Sequence, residues 1–123
     1  MPENNKDKTV ADFLTGKSEH TIKLFQHFLE EFGKLGNVTL HPAKTMIGIA
    51  NEQKRIAWVT QLGKNFIHVV FPFKMPYPDN LCFTKIAQVP GDHRQFNHHF
   101  RMFYIEDVNE EVISFMRMAL KGK

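Results

Sequence analysis

Histidines and basic residues are concentrated in one part of the chain, between Gly33 and Ile105. Nine lysines and arginines and three acidic residues lie there, so this segment carries a formal charge of +6, against +3 for the whole chain. Five of the seven histidines lie in the same segment: His41, His68, His93, His98 and His99. Because uncompensated cations attract anions, the segment predicts a surface that binds an anionic ligand.

Three of these histidines, His93, His98 and His99, are close enough in sequence to suggest a metal site. Zinc sites usually combine histidines with cysteines or carboxylates at short, regular spacings, and no cysteine or carboxylate pair lies nearby. Adjacent residues of a strand point to opposite faces, so His98 and His99 would not bind the same ion. We therefore expect no metal site and no cofactor.

Motifs of catalytic sites are also missing from the sequence. It contains no Walker loop, no Gly-x-Ser-x-Gly turn and no His-Glu-x-x-His motif. The basic segment holds only Glu52, Asp79 and Asp92 as acids, and all three fall in predicted turns, where they form no carboxylate pair for acid–base catalysis. We assign no catalytic residue, and an enzyme is the less favoured class.

Cysteine content and hydropathy indicate the compartment. Cys82 is the single cysteine, so no internal disulfide forms, and a lone thiol is typical of a reducing compartment. Its neighbours Leu81 and Phe83 predict a buried structural thiol rather than a nucleophile. No apolar run approaches the roughly 20 residues of a membrane-spanning helix, and the polar N-terminus lacks a secretion signal. We expect a cytoplasmic protein with no membrane partner.

Three helices are predicted from capping residues and apolar spacing. Thr9 opens a capping box with Asp12 and begins a short helix that Gly16 ends. Residues 18–36 carry phenylalanines and leucines at three- and four-residue spacings, which predicts an amphipathic helix of about four turns. Asp107 opens another capping box, and the helix behind it runs to the lysine-rich end.

Six short segments between the helices show strand patterns: residues 38–41, 45–50, 55–62, 66–73, 83–89 and 98–105. Their short connections predict antiparallel pairing. The fold class is therefore α+β, with an antiparallel sheet of about five or six strands and with two N-terminal helices and one C-terminal helix packed on one face. We expect a single domain over residues 1–123, with residues 1–8 as a flexible tail.

A set of residues around the predicted strands is suited to binding an anion. On the sixth strand His99 and Arg101 share one face, and Lys44 and Thr45 stand at a strand entrance. Cations beside exposed aromatic rings bind single-stranded nucleic acid or anionic small molecules, although Trp58 also fits a core and edge lysines also prevent aggregation. The candidate ligand-binding residues are Lys44, Thr45, Arg55, Trp58, His98, His99 and Arg101.

Four stretches of the chain resemble one bacterial family. They are residues 9–16, the helix start Ser18-Glu19-His20, the segment Pro42-Ala43-Lys44-Thr45-Met46-Ile47, and Phe96-Asn97-His98-His99-Phe100-Arg101 followed by the capped last helix. Their order and spacing are similar, over nearly the whole chain, to a domain of unknown function. That domain occurs as small single-domain proteins and at the end of longer chains labelled "predicted transport protein". The family has no established activity, so the resemblance implies a bacterial origin but no particular ligand.

Three hypotheses about function follow. The leading one is a small non-enzymatic binding module whose basic, aromatic sheet surface binds an anionic ligand, either nucleic acid or a phosphate-bearing metabolite. The second is a homo-oligomeric interaction domain, such as a homodimer, because phenylalanines lie on both faces of the strands. The third is a small enzyme that uses His98 or His99 as an acid–base group.

Overall fold

Helices form where capping residues and apolar spacing predict them. The structure, a computed structural model, describes residues 8–121 and contains three α-helices: α1 Val10–Leu14, α2 Glu19–Leu35 and α3 Glu110–Lys121. At α1 the Thr9 N–H donates to Asp12 Oδ2 over 2.9 Å, and the Asp12 N–H donates to Thr9 Oγ1 over 3.1 Å. Ser18 caps α2, because its Oγ accepts from the Thr21 N–H at 3.1 Å.

Six strands form one antiparallel sheet: β1 Thr39–Pro42, β2 Ile47–Ala50, β3 Arg55–Leu62, β4 Ile67–Phe73, β5 Phe83–Gln88 and β6 Phe96–Met102. Their order across the sheet is β1-β2-β3-β4-β6-β5. The strand β6 therefore lies between β4 and β5, although β5 precedes it in the chain. Tight turns connect the first four strands; in one of them Asn51 Oδ1 accepts from the N–H groups of Gln53 and Lys54 at 2.8 and 2.9 Å.

Phenylalanine rings join α2 and α3 to one face of the sheet. Phe28 of α2 is fully buried, and its ring centre lies 6.4 Å from that of Phe71 on β4 and 6.3 Å from that of Phe100 on β6. Phe115 of α3 packs against Phe73 of β4 at 5.9 Å. Residues of α1 pack against the edge of the same core. The predicted α+β class, the antiparallel sheet and the three helices are confirmed.

The boundary between β6 and α3 differs from the prediction. The sequence predicts a strand over residues 98–105, whereas β6 begins at Phe96 and ends at Met102. The cause is Asp107, whose Oδ2 accepts from the N–H groups of Phe103 and Tyr104 at 2.8 and 3.0 Å and turns the chain away from the sheet. Asp107 therefore does not cap α3; the cap is Asn109, whose Oδ1 accepts from the Val112 N–H at 3.0 Å.

The two ends of the chain lie outside the described residues. The predicted flexible tail, residues 1–8, falls there except for Lys8, whose N–H donates to the Ala43 carbonyl at 3.3 Å. Over residues 8–121 no helix combines the length and the apolar character that crossing a membrane requires.

Replacing Phe28 with alanine tests how much stability resides in the contact between α2 and the sheet. We expect the free energy of unfolding to fall by about 3–5 kcal/mol, because a fully buried ring leaves a cavity when it is removed. Leu81 is 98% exposed and supplies the control. The Leu81→Ala change should alter stability by less than about 0.5 kcal/mol. Urea denaturation measures both variants, and similar losses in the two would contradict this placement of the core.

Candidate functional site

One face of the sheet is turned away from α2 and α3, and we call it the open face. Because side chains alternate along a strand, the residues next to Phe71 and Phe100 in β4 and β6 point to the open face. Strand register aligns His68 with Arg101 and Val70 with His99 across β4 and β6. No strand of the described sheet contains an aspartate or glutamate, so the open face carries positive charge without compensation from the strands.

Four basic side chains of the open face lie around one shallow depression, and we call them the basic cluster: His68, Lys85, His99 and Arg101. The depression has a volume of about 520 Å³ and is also lined by Thr84. His68 Nε2 lies 2.8 Å from His99 Nδ1, and Arg101 Nε donates to His68 Nδ1 at 3.3 Å. Three of its four members, His68, His99 and Arg101, are therefore connected by hydrogen bonds, and Lys85 lines the same depression.

The hydrogen bonds determine where the protons of the two histidines lie. Because Arg101 donates to His68 Nδ1, the proton of neutral His68 is on Nε2, from which it is donated to His99 Nδ1. The proton of neutral His99 is then on Nε2, and within residues 8–121 this atom has no hydrogen-bond partner. This series of hydrogen bonds therefore ends at the N–H group of His99 Nε2, a free donor beside the depression. The Arg101 guanidinium lies 4.5 Å from the centre of the Phe66 ring, which supports it from one side.

Burial and nearby positive charges lower the pKa of both histidines and favour their neutral forms. The pKa of His68 is lowered to about 4, first by burial and then by the positive charges of His99, Arg101 and Lys85. The pKa of His99 is lowered first by burial and then by Lys85 and His98. All the charges that act on these rings are positive. An anion in the depression would oppose that repulsion and favour protonation.

His98, the neighbour of His99, lies on the opposite face of the sheet and is fully buried. Its Nδ1 donates to the Phe96 carbonyl at 2.8 Å, and its Nε2 accepts from the Tyr77 N–H at 3.1 Å. Burial is the main cause of its lowered pKa. The ring contacts Phe73 with a centre-to-centre distance of 5.0 Å. His98 therefore fastens the loop between β4 and β5 to the core and does not contact a ligand held on the open face.

Lys44 and Thr45 lie in a different depression, which is formed between α1 and the end of β3. This depression has a volume of about 510 Å³ and includes two further lysines, Lys8 and Lys17. Its one acidic residue, Asp12, is engaged in the capping box of α1. It shares no lining residue with the depression of the basic cluster. The structure thus separates the Pro-x-Lys-Thr segment from His99 and Arg101.

Arg55 and Trp58 form a third group on β3. The Arg55 guanidinium lies 5.8 Å from the Trp58 ring. Both side chains lie close against Gly48: a Cβ at this position would come within 2.8 Å of Arg55 Nε and 3.0 Å of Trp58 Cζ3. Register places Trp58 opposite Val70, which in turn is opposite His99. Two strand spacings, about 10 Å, therefore separate Trp58 from His99.

Sequence reasoning selected two members of the basic cluster and missed the other two, His68 and Lys85. A signal for His68 is present in the sequence, since it is the single ionisable residue in the most apolar strand. It shares one face of that strand pattern with Phe66 and Val70. Lys85 gave no comparable signal. Its place beside His99 depends on the register of β5 against β6, which shifts between Phe83 and Lys85 and which no local pattern reveals.

Metal and thiol chemistry find no support among the described residues. Over residues 8–121 no group of three histidine, cysteine, aspartate or glutamate side chains is arranged to hold a metal ion. The pKa of the Cys82 thiol is raised to about 12, first by burial and then by the charge of Glu111. A thiol with so high a pKa does not supply a nucleophilic thiolate at neutral pH.

Comparison of the chain with protein-family models, with curated proteins and with solved structures found no match. The resemblance to the bacterial family stays a prediction.

Arg101→Gln tests whether the basic cluster is electrostatically coupled. The pKa of His68 should rise above its present value of about 4, because the variant removes one of the nearby positive charges. It should stay below 6.5, the ordinary value, since burial is the largest cause of the shift. NMR titration of the histidine ring signals measures this. Arg94→Gln removes the same charge from the β5–β6 connection and should leave the pKa of His68 unchanged; an equal rise there would contradict the coupling.

His98→Leu tests the structural role of the buried histidine. We expect the free energy of unfolding to fall by about 1–3 kcal/mol at neutral pH, because the half-buried Tyr77 N–H loses its acceptor. The folded protein holds His98 with a lowered pKa, so its stabilising effect is present above the unfolded pKa and is lost as pH falls through the folded pKa.

The difference in melting temperature between wild type and His98→Leu should therefore narrow below about pH 6.5. Thermal denaturation at several pH values measures it. The control is His93→Leu, at an exposed histidine of the β5–β6 connection. A gap that widens on acidification would show that His98 does not stabilise the fold in its neutral form.

Proposed function

We propose that the protein is a binding module that holds a phosphate-type group of an anionic ligand in the basic cluster. The observation that carries this proposal is the convergence of His68, Lys85, His99 and Arg101 on one depression. Among residues 8–121 the one ion pair joins Lys34 to Glu31, far from the cluster in sequence, so its cations remain available. A guanidinium and an imidazole N–H are donors that suit the oxygens of a phosphate group.

The protonation states of the histidines favour binding over acid–base catalysis. A general base works best when its pKa is near the operating pH. The pKa of His68 is about 4, so His68 accepts a proton poorly at neutral pH. A neutral His99 that donates through Nε2 is suited to recognise an anion, and protonation of the cluster upon binding would add attraction.

We also propose that the protein is cytoplasmic and that it belongs to the bacterial family that it resembles. A half-buried Cys82 with a pKa raised to about 12 supports a structural thiol, which is compatible with the cytoplasm. Of the four stretches that carry the family resemblance, we assign ligand binding to the one that contains His98-His99-Phe100-Arg101, because it contributes His99 and Arg101 to the cluster. The homodimer stays a prediction.

Sulfate is a suitable probe, because its charge is constant over the pH range in which the histidines titrate. We expect sulfate to shift the ring signals of His68 and His99 in NMR spectra. Its affinity should rise as pH falls from about 7.5 to about 5.5, since a bound anion raises the pKa of both rings. The affinity should also weaken as sodium chloride is added. Binding that does not depend on pH or on salt would contradict the proposal.

Arg101→Gln and Lys54→Gln form a matched pair for calorimetric titration with sulfate. Arg101→Gln should weaken binding by about tenfold or more, because a hydrogen bond to a charged group contributes roughly 1.5–3 kcal/mol. Lys54→Gln removes one charge from the β2–β3 turn, outside the cluster, and should change the affinity by less than about twofold. Equal losses in the two variants would indicate attraction to net charge and would rule out a site at the basic cluster.

A further inference from the structure

A second depression adjoins the basic cluster, and we call it the notch. Its volume is about 300 Å³, and the residues that matter for its chemistry are Leu81, Thr84, Arg101, Phe103, Asp107 and Glu111. Thr84 and Arg101 also line the depression of the basic cluster, so the two depressions are adjacent. The notch exists because β5 pairs with β6 only as far as Phe83, opposite Phe100, and leaves the end of β6 uncovered.

The notch presents an apolar wall that a flat ring fits. Phe103 is 39% exposed, and its ring packs at 5.7 Å against that of Phe66, which also lies under the Arg101 guanidinium. Phe66 therefore supports one side of the Phe103 ring, and another part of the ring surface is exposed. Leu81, almost fully exposed, borders the same space. Exposed aromatic rings next to cations are the usual stacking positions for nucleobases.

The polar groups of the notch differ in sign from those of the basic cluster. Asp107 and Glu111 contribute carboxylate oxygens, and Arg101, at the border, is the one cation among the lining residues. One oxygen of Asp107 accepts from the backbone, which leaves Oδ1 without a partner among residues 8–121. Carboxylates repel a second phosphate group but accept hydrogen bonds from the N–H groups of an uncharged heterocycle.

From this pairing we infer that the ligand is a nucleotide unit with its phosphate in the basic cluster and its base in the notch, stacked on Phe103. The inference rests on the proposed function, because the phosphate position is that of the proposed anion site. A base with an exocyclic amino group, such as adenine, suits the free carboxylate oxygen of Asp107 best. The unit is either a free mononucleotide or one nucleotide of a single strand, since both present the same phosphate and base.

Calorimetric titrations of the wild-type chain with ribose 5-phosphate and with adenosine 5′-monophosphate test the role of the base. The nucleotide should bind about tenfold or more tightly, because stacking on an aromatic side chain contributes roughly 1–3 kcal/mol per base. Equal affinities for the two compounds would overturn the inference. If sulfate and ribose 5-phosphate still bind through Arg101, the proposed anion site survives that result. If neither binds, both proposals fail.

Phe103→Leu tests stacking alone, since it removes the aromatic ring and keeps an apolar side chain at the same position. It should bring the affinity for the nucleotide down to that for ribose 5-phosphate and leave sulfate binding unchanged. Tyr104→Leu removes the adjacent aromatic ring, which is 63% exposed and lies outside the notch, and should change neither affinity. An equal loss of nucleotide affinity in both variants would overturn the placement of the base.

Two further arms distinguish the source of the nucleotide. A short single strand of adenine nucleotides that binds more tightly than the mononucleotide, per site, would identify a strand as the ligand. A strand that binds no better would identify the free nucleotide. Asp107→Asn provides an independent check: it should reduce the preference for adenine over uracil while Phe103 still stacks the base, because an NH2 donor replaces the free carboxylate oxygen while the remaining oxygen still accepts from the Phe103 and Tyr104 N–H groups. An unchanged preference would count against base recognition in the notch.

Discussion

The pairing of β4 with β6 is the constraint on which the rest of the structure depends. On one face it brings Phe71 and Phe100 under the fully buried Phe28 of α2. Because the side-chain period of a strand is two, that packing directs the intervening residues, His68 and Arg101 among them, to the other face. A slip of one residue would bury the cations and expose the rings, so the cost of disrupting the core also holds the basic cluster in place.

The basic cluster shows how a sheet can concentrate charge without salt bridges. No described strand carries a carboxylate that could pair with Arg101, and the two carboxylates of the notch, Asp107 and Glu111, accept from backbone N–H groups instead. Burial and the neighbouring positive charges lower the pKa of His68 and of His99, so both rings are neutral at neutral pH and add no further repulsion. An anion held among these groups would raise the pKa of both rings, so anion binding and protonation would be coupled.

Local patterns predicted most of the elements and only part of the site. Capping at Thr9 and Ser18 and the spacing along α2 depend on neighbours in sequence, and those predictions are confirmed. Strand alternation likewise placed His99 and Arg101 on one face. The pairing of β4 with β6 skips over β5 and is encoded by no local pattern, and it is this pairing that brings His68 to Arg101; Lys85 reaches His99 through the register of the β5–β6 pair. The same limitation applies to Asp107, whose carboxylate reaches back to a strand end.

His98 influences the open face without reaching it. Through the Tyr77 N–H it holds the loop that leads from β4 to β5. At the end of that loop Asn80 Oδ1 accepts from the Phe83 N–H at 2.9 Å, and the Leu81 N–H donates to Glu111 at 3.1 Å. These bonds determine where β5 begins, and hence how much of β6 stays uncovered. Two adjacent histidines thus have different positions and roles in the fold: His99 lies on the open face in the basic cluster, and buried His98 holds the loop that leaves the notch beside it open.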